Sequence, residues 1–351
     1  MQEPREFKTI EEQLDRLENR GVKVTDPAAA KRYLLSNNYY SVVNGYKSMF
    51  LDGEKSVAAH DDRYIDDMTF EQLVLIHSFD RLLRSETLLA LIIAETRMKT
   101  AVVYAFCDEH RGCDDYLNPR CYCSMEEYGS SGYTRNLIRL LSTLQKVHDG
   151  GSGKSYIKHY IKEHGGVPLW VAAGSLTFGN ISAFYDMQTR SVQNKTCKLL
   201  CEVVGKARIK PKRLRSVLST LKDFRNICAH GERLFCAREG ARGNLRYVDM
   251  FQALQVVLSE REFEEYVKVL RHLLKDLDDI PGLANKVLSE MGFNGEKLSS
   301  VRSDGAAQSN LAAIKERDTA KFKTHLKSSC ASDVVAPSLK TNGNYDKLRA
   351  P

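Results

Sequence analysis

The chain has 351 residues, 42% of them hydrophobic, and its 52 Lys and Arg against 45 Asp and Glu leave a formal net charge of +7. That apolar share builds a sizeable core and excludes disorder for the bulk of the chain, while the positive excess favours contact with a polyanion without establishing one. With 8 prolines, nine scattered cysteines and no apolar run near the roughly 20 residues of a membrane span, the expectation is an all-α, soluble, cytoplasmic protein with free thiols and no membrane association.

In chain order, Thr9 caps a short helix with apolar Ile10, Leu14 and Leu17 that stops at Gly21. Asp26-Pro27 opens a second helix through Leu35, followed by aromatic residues at Tyr39, Tyr40 and Tyr46. The longest helical pattern runs from Thr69 to about Tyr104, with a possible interruption near Ser85. Residues 107–135 read as an irregular loop or small insertion. Helices are then expected at Leu137 to Val147, from near Tyr156, at Leu169 to Leu176, and from Thr177 past Phe184. Pro211 opens a well-formed helix whose face of Leu214, Val217, Leu218, Leu221, Phe224 and Cys228 ends at Gly231. Two more helices span Asp249 to Leu258 and Glu260 to Leu277, and the body, residues 1–294, ends near Met291-Gly292-Phe293. Residues 295–351 read as a basic, mostly disordered tail in which Leu311 to Phe322 forms at most a marginal helix.

The chemistry-bearing candidate is the stretch from Leu221 to Phe235, in which Arg225, Asn226 and His230 match the Arg-x4-His signature of HEPN proteins. Five residues along an ideal helix turn by about 140°, so Arg225 and His230 occupy different faces while Asn226 and His230 share one. Gly231 places His230 at the helix end, free to project, and a second copy related by a twofold axis would bring another Arg/His pair opposite the first. An imidazole moves protons near neutrality and a guanidinium grips phosphate oxygens, which is what RNA cleavage by its own 2′-hydroxyl requires, with no metal or other cofactor. Alone, the spacing is a weak signal, since a histidine at a helix C-terminus is often only a partner for the helix dipole.

The wider sequence resembles the abortive-infection (Abi) family, its AbiD/AbiF-like members, in separated blocks across residues 8–294. The blocks are Thr9 to Leu14 with Arg20-Gly21, Asn38-Tyr39-Tyr40 with Gly45-Tyr46, Phe79 to Arg84, Glu95-Thr96-Arg97, Pro168-Leu169-Trp170, Thr177-Phe178-Gly179, Arg225 to Phe235, and Met291 to Phe293. Gly174 and Cys236 depart from the family pattern, where an acidic residue and an asparagine are usual. The resemblance implies a HEPN-like helical bundle and antiphage defence. It further implies an endoribonuclease with Arg225, His230 and Asn226 as catalytic residues and Arg233, Glu95, Asp80 and Arg84 in support. The implied partners are RNA, a second copy of the chain, and an antitoxin or small RNA. The alternative reading is a non-catalytic RNA- or protein-binding regulator of a defence or toxin–antitoxin system.

Other signals are weaker. Gly150 to Ser155 ends like a phosphate-binding loop, but His148 stands where that loop needs glycine, so a linker is expected. Cys107, His110, Cys113, Cys121 and Cys123 lack paired zinc spacing. Asp80, Arg84, Glu95 and Arg97 form either a solvated helix face or, if their helix packs against the motif helix, a set that orients Arg225 or His230. Tyr39, Tyr40 and Tyr46 are assigned to packing rather than base stacking, and Trp170 likewise to packing.

Overall fold

A computed structural model describes residues 6–294, and within them the chain is helical with no β-strand, only isolated bridges such as Lys23 to Thr69. The expected tail at 295–351, with its marginal helix at Leu311 to Phe322, lies outside the described residues.

Helix α1 (Ile10–Asn19) starts at a reciprocal cap: the Glu12 amide donates to the Thr9 hydroxyl, and the Thr9 amide donates to the Glu12 carboxylate at 2.8 Å. Helix α2 (Pro27–Ser36) is capped by Asp26 and packs on α1. The aromatic stretch that follows winds into a π-helical turn (Tyr40–Asn44), and Asp52 then caps α3 (Gly53–Ala59), a helix the periodicity did not announce because none of its residues is buried.

Helix α4 (Phe70–Glu109) organises the rest. It is one continuous helix of 40 residues, about 60 Å long at the standard rise, and the possible break near Ser85 is absent. Its apolar residues face several directions because other helices surround it: α8 (Leu169–Ala172), α9 (Phe178–Asp186), α10 (Arg190–Val204), α11 (Pro211–His230), α12 (Tyr247–Val257) and α13 (Glu260–Lys275) all contact it. Near the suspected break, buried Thr87 hydrogen-bonds the Tyr266 hydroxyl at 2.8 Å, and Tyr266 in turn bonds Tyr247, so three buried hydroxyls satisfy one another and tie α4 to α12 and α13.

The expected irregular region at 107–135 begins later than expected, since α4 continues to Glu109, and is otherwise built of short 3-10 turns, the single turn α5 (Met125–Tyr128) and the start of α6 (Tyr133–His148). Helix α7 (Ser155–His164) follows the glycine-rich linker. The expected helix at Leu169 to Leu176 is shorter than its apolar run, since after Ala172 it tightens into a 3-10 turn at Ala173–Ser175. Helix α10 was not anticipated as a separate element: its surface is mostly polar, and only its packing on α4 defines it. Helix α14 (Leu283–Met291) ends the described chain.

Three sequence-based assignments are corrected, the first that of Tyr40 to packing, since it is 66% exposed. Trp170 does not pack in the core but is 59% exposed. Asp80, Arg84, Glu95 and Arg97 are not a solvated face, because each carries an ion pair and the Asp80 side chain is fully buried. Among the described residues no helix is long and apolar enough to cross a membrane, and no group of His, Cys, Asp or Glu is arranged to hold a metal ion.

Candidate functional site

Helix α11 forms where the sequence places it. Pro211 sits in its first turn, and Leu214, Val217, Leu218, Leu221, Phe224 and Ile227 are buried against α9, α10, α12 and α4. It stops because Gly231 adopts φ +72°, a left-handed conformation that glycine enters without strain, and the Gly231 amide closes the last turn on the Ile227 carbonyl. His230 is thus the final helical residue, and both it and Asn226 are exposed with no side-chain hydrogen bond among the described residues.

Arg225, on another face, is half-buried, and its Nε donates to the Glu95 carboxylate of α4 at 3.2 Å. The other Glu95 oxygen lies 4.0 Å from Lys99 Nζ, which also donates to the Leu176 carbonyl at 2.9 Å. One carboxylate therefore serves two cations. Desolvation pulls the Lys99 pKa down, a shift that Glu95 opposes and Arg225 reinforces. The spacing of Glu95 and Lys99, four residues apart, was a signal for this pair that the sequence reading passed over.

Behind α11 the chain turns into a strap that Asp80 holds. This carboxylate accepts from Arg84 Nη1 at 2.7 Å, from the Tyr46 hydroxyl at 2.8 Å, and from the backbone amides of Leu234 and Phe235 at 3.1 and 3.0 Å. Burial pushes its pKa above the ordinary carboxylate value, while Arg84 and the four hydrogen bonds hold the charge in place. Asp80 contacts neither Arg225 nor His230 directly; it fixes the segment that leaves the helix carrying them. The Phe235 ring stacks on Tyr46 with centroids 5.7 Å apart. Arg233 reaches the other way and donates to the Gly45 carbonyl at 2.8 Å.

Of the expected site residues, Arg225 and Glu95 meet in an ion pair, Asp80 and Arg84 meet in another beneath the strap, and Arg233 joins the strap to the π-helical turn. No hydrogen bond joins Arg225 to His230 among the described residues. Tyr46, Lys99 and His77 belong to this region but were not assigned to it from sequence. Cys228 supplies no nucleophile: burial pushes its thiol up to about 12. The two departures also have settings. A Cβ at Gly174 would lie 2.7 Å from the Tyr156 hydroxyl, which itself bonds Ser175, so a larger residue there would displace Tyr156. Cys236 is half-buried in the strap.

Compared with known proteins, the chain matches one family model, described as Abi-like protein, over residues 32–236, more than half its length. That span runs from α2 through α4 and α11 to Cys236, and leaves the resembling blocks at Thr9 to Gly21 and Met291 to Phe293 outside it. No curated protein and no solved structure matches.

Proposed function

The chain belongs to the Abi-like protein family, whose role is abortive infection, and from that premise we propose that it is a HEPN-type, metal-independent endoribonuclease of antiphage defence, active as a homodimer. The observation that carries the reading is the contrast on the last two turns of α11. The Arg225 guanidinium is anchored through Nε by Glu95, which leaves its two terminal nitrogens without partners among the described residues, and the His230 imidazole is free at the helix end. An anchored guanidinium and an exposed, unpaired imidazole on one helix end suit a phosphodiester: the first holds a developing negative charge with little reorganisation, and the second moves a proton.

In the proposed reaction the 2′-oxygen of RNA attacks its adjacent phosphorus as His230 takes the 2′ proton. The bond from phosphorus to the 5′-oxygen then breaks, leaving a 2′,3′-cyclic phosphate. The 5′-oxygen takes a proton from the imidazolium of the second copy, while Arg225 and Asn226 hold the phosphoryl oxygens. Two sites facing each other also answer the 140° offset between Arg225 and His230, since each could work with the other copy's partner. Exposed Leu89, Ile92 and Ile93, on the same helix as Glu95 and six, three and two residues before it, support such a pairing as an apolar patch on α4.

The test is incubation of the purified chain with mixed RNAs in chelator, followed by analysis of fragment ends. Fragments with 2′,3′-cyclic phosphate that vanish in His230→Ala and Arg225→Ala support the reading. A second reading, an RNA- or protein-binding regulator with an inert pocket, has one observation in its favour: no carboxylate or carbonyl orients the His230 ring among the described residues. Retention of RNA without any cleavage would select it. A cognate antitoxin or small RNA would be the regulator in either case.

A further inference from the structure

The segment that joins α10 to α11 carries a dense run of positive charge. Lys206, Arg208, Lys210, Lys212 and Arg213 are five cations within eight residues, and no Asp or Glu occurs from Val203 to Lys222. Lys206 is half-buried and the other four are exposed, and none of the five has an ion pair or a side-chain hydrogen bond among the described residues. Ile209, buried in the middle of the run, anchors this backbone to the core. The neighbouring acids are spoken for: Asp186 of α9 pairs with Arg215 at 2.9 Å, and Glu127 accepts from the Arg190 amide at 2.6 Å at the start of α10. Glu202, exposed on the last turn of α10, shares a helix face with exposed Lys198 four residues before it.

Helix formation does not ask for this charge. Lys210 stands at the N-cap of α11 without a capping hydrogen bond, and the first turn holds Lys212 and Arg213 but no acidic residue, where the helix dipole favours negative side chains. The opposite sign gathers at the other end of α11. Beyond His230, Glu232 and Glu239 have no ion pair among the described residues, while Asp223 is paired with Lys222 at 3.2 Å and Arg225 with Glu95. Burial, then Asp223 and Glu232, raise the Glu239 pKa. A polyanion gains little attraction from that end, so its affinity has to come from elsewhere. The two ends are in line. Lys212 and His230 are separated by five full turns and so share one face of α11, about 27 Å apart. Between them that face carries exposed Ser216, Ser219 and Asn226, short polar side chains that leave a path for a strand.

We propose that the run from Lys206 to Arg213 is a docking surface for the RNA backbone, which captures the substrate by its phosphates and lays the strand along α11 toward His230. The assignment rests on the endoribonuclease reading for the direction of the strand but not for the binding itself. Contacts to phosphate position a strand without reading its bases, so the surface supplies affinity and placement but no sequence preference. The span to His230 matches about eight stacked nucleotides at 3.4 Å each.

Fluorescence anisotropy of full-length His230→Ala with a labelled 20-nucleotide single-stranded RNA, over a range of salt, tests it. Two triple variants are compared in that background: Lys210→Gln with Lys212→Gln and Arg213→Gln, and a control of equal charge, Lys154→Gln with Lys158→Gln and Lys162→Gln, at exposed positions on and beside α7. The docking triple is expected to weaken binding about tenfold or more and to flatten the slope of log K against log salt by about 2, at roughly 0.7 per lost phosphate contact. The control is expected to change binding less than about twofold. The thermal midpoint of the docking triple should hold or rise, since the substitutions relieve the helix dipole, which separates lost binding from lost folding. Equal weakening by the two triples, no weakening by the docking triple, or no RNA binding at all overturns the surface. Cleavage by the wild type that the docking substitutions leave untouched removes the surface and keeps the endoribonuclease. RNA binding that depends on Lys210, Lys212 and Arg213 in a chain that cuts no RNA does the reverse.

Discussion

Asp80 and His230 are ionisable residues of one small region, yet they live in opposite environments. Asp80 is wholly buried and accepts from Arg84, Tyr46 and two backbone amides, whereas His230 stands exposed at a helix end with no side-chain hydrogen bond among the described residues. A fully paired buried charge specifies one geometry and is costly to disturb; an unpaired exposed imidazole contributes little to folding and is free to act. The region thus has a floor that fixes the strap and a rim that, in the proposed reaction, meets the RNA.

The sharpest test of that division is His230→Ala. It should lower RNA cleavage by roughly 10²- to 10⁴-fold, the usual worth of a proton-transferring group, while leaving the thermal midpoint unchanged. Equal loss of stability would place His230 in the floor and break the comparison. Asp80→Ala should show the opposite pattern. It strands Arg84 and two amides in a buried setting, so chemical denaturation should reveal a loss of about 3–5 kcal/mol, with cleavage falling only as far as folding does.

The ion pair between Glu262 of α13 and Arg97 of α4 belongs with the floor and is readable by pH. Hydrogen bonds from Arg97, chiefly, lower the Glu262 pKa from 4.5 to about 2. Because the folded value lies below the unfolded one, the stabilisation is complete above pH 4.5 and is lost as pH falls toward 2. Allowing for solvent screening, wild type should exceed Glu262→Gln by about 1–2 kcal/mol at pH 6, and the gap should close on acidification. A gap independent of pH would count against the pair. The smallest effect is expected at the boundary: Glu95→Gln should reduce cleavage about tenfold by loosening Arg225, with stability changing by less than about 1 kcal/mol. Cleavage unaffected by this change would detach Glu95 from the rim.

Much of this was legible before any coordinates. Thr9 with Glu12, Asp26 with Pro27, and Pro211 with Gly231 mark helix ends by local hydrogen bonding and backbone preference, and those helices stand where the pattern puts them. Trp170 was misplaced because an aromatic residue in an apolar run reads as core, whereas α8 buries Leu169 and Ala172 and leaves Trp170 facing water. Helix α10 was missed for the converse reason, a polar surface that hides a buried face. Of the site, the motif helix and the position of His230 at its end were readable, and so was the possibility that Glu95 meets Arg225. The role of Asp80 was not, since its partners are backbone amides at Leu234 and Phe235, more than 150 residues away, and an amide carries no side-chain signature.

By itself, then, the sequence determined the helical class, the ends of its best-capped helices and the place of the motif residues Arg225 and His230 on one of them, because caps, turns and periodicity act over a few residues. Tertiary structure alone decided which charges are buried, that α4 runs unbroken, and that Asp80 meets the amides of Leu234 and Phe235. Those outcomes depend on which surfaces exclude water, and that is settled only when segments far apart in the chain pack together.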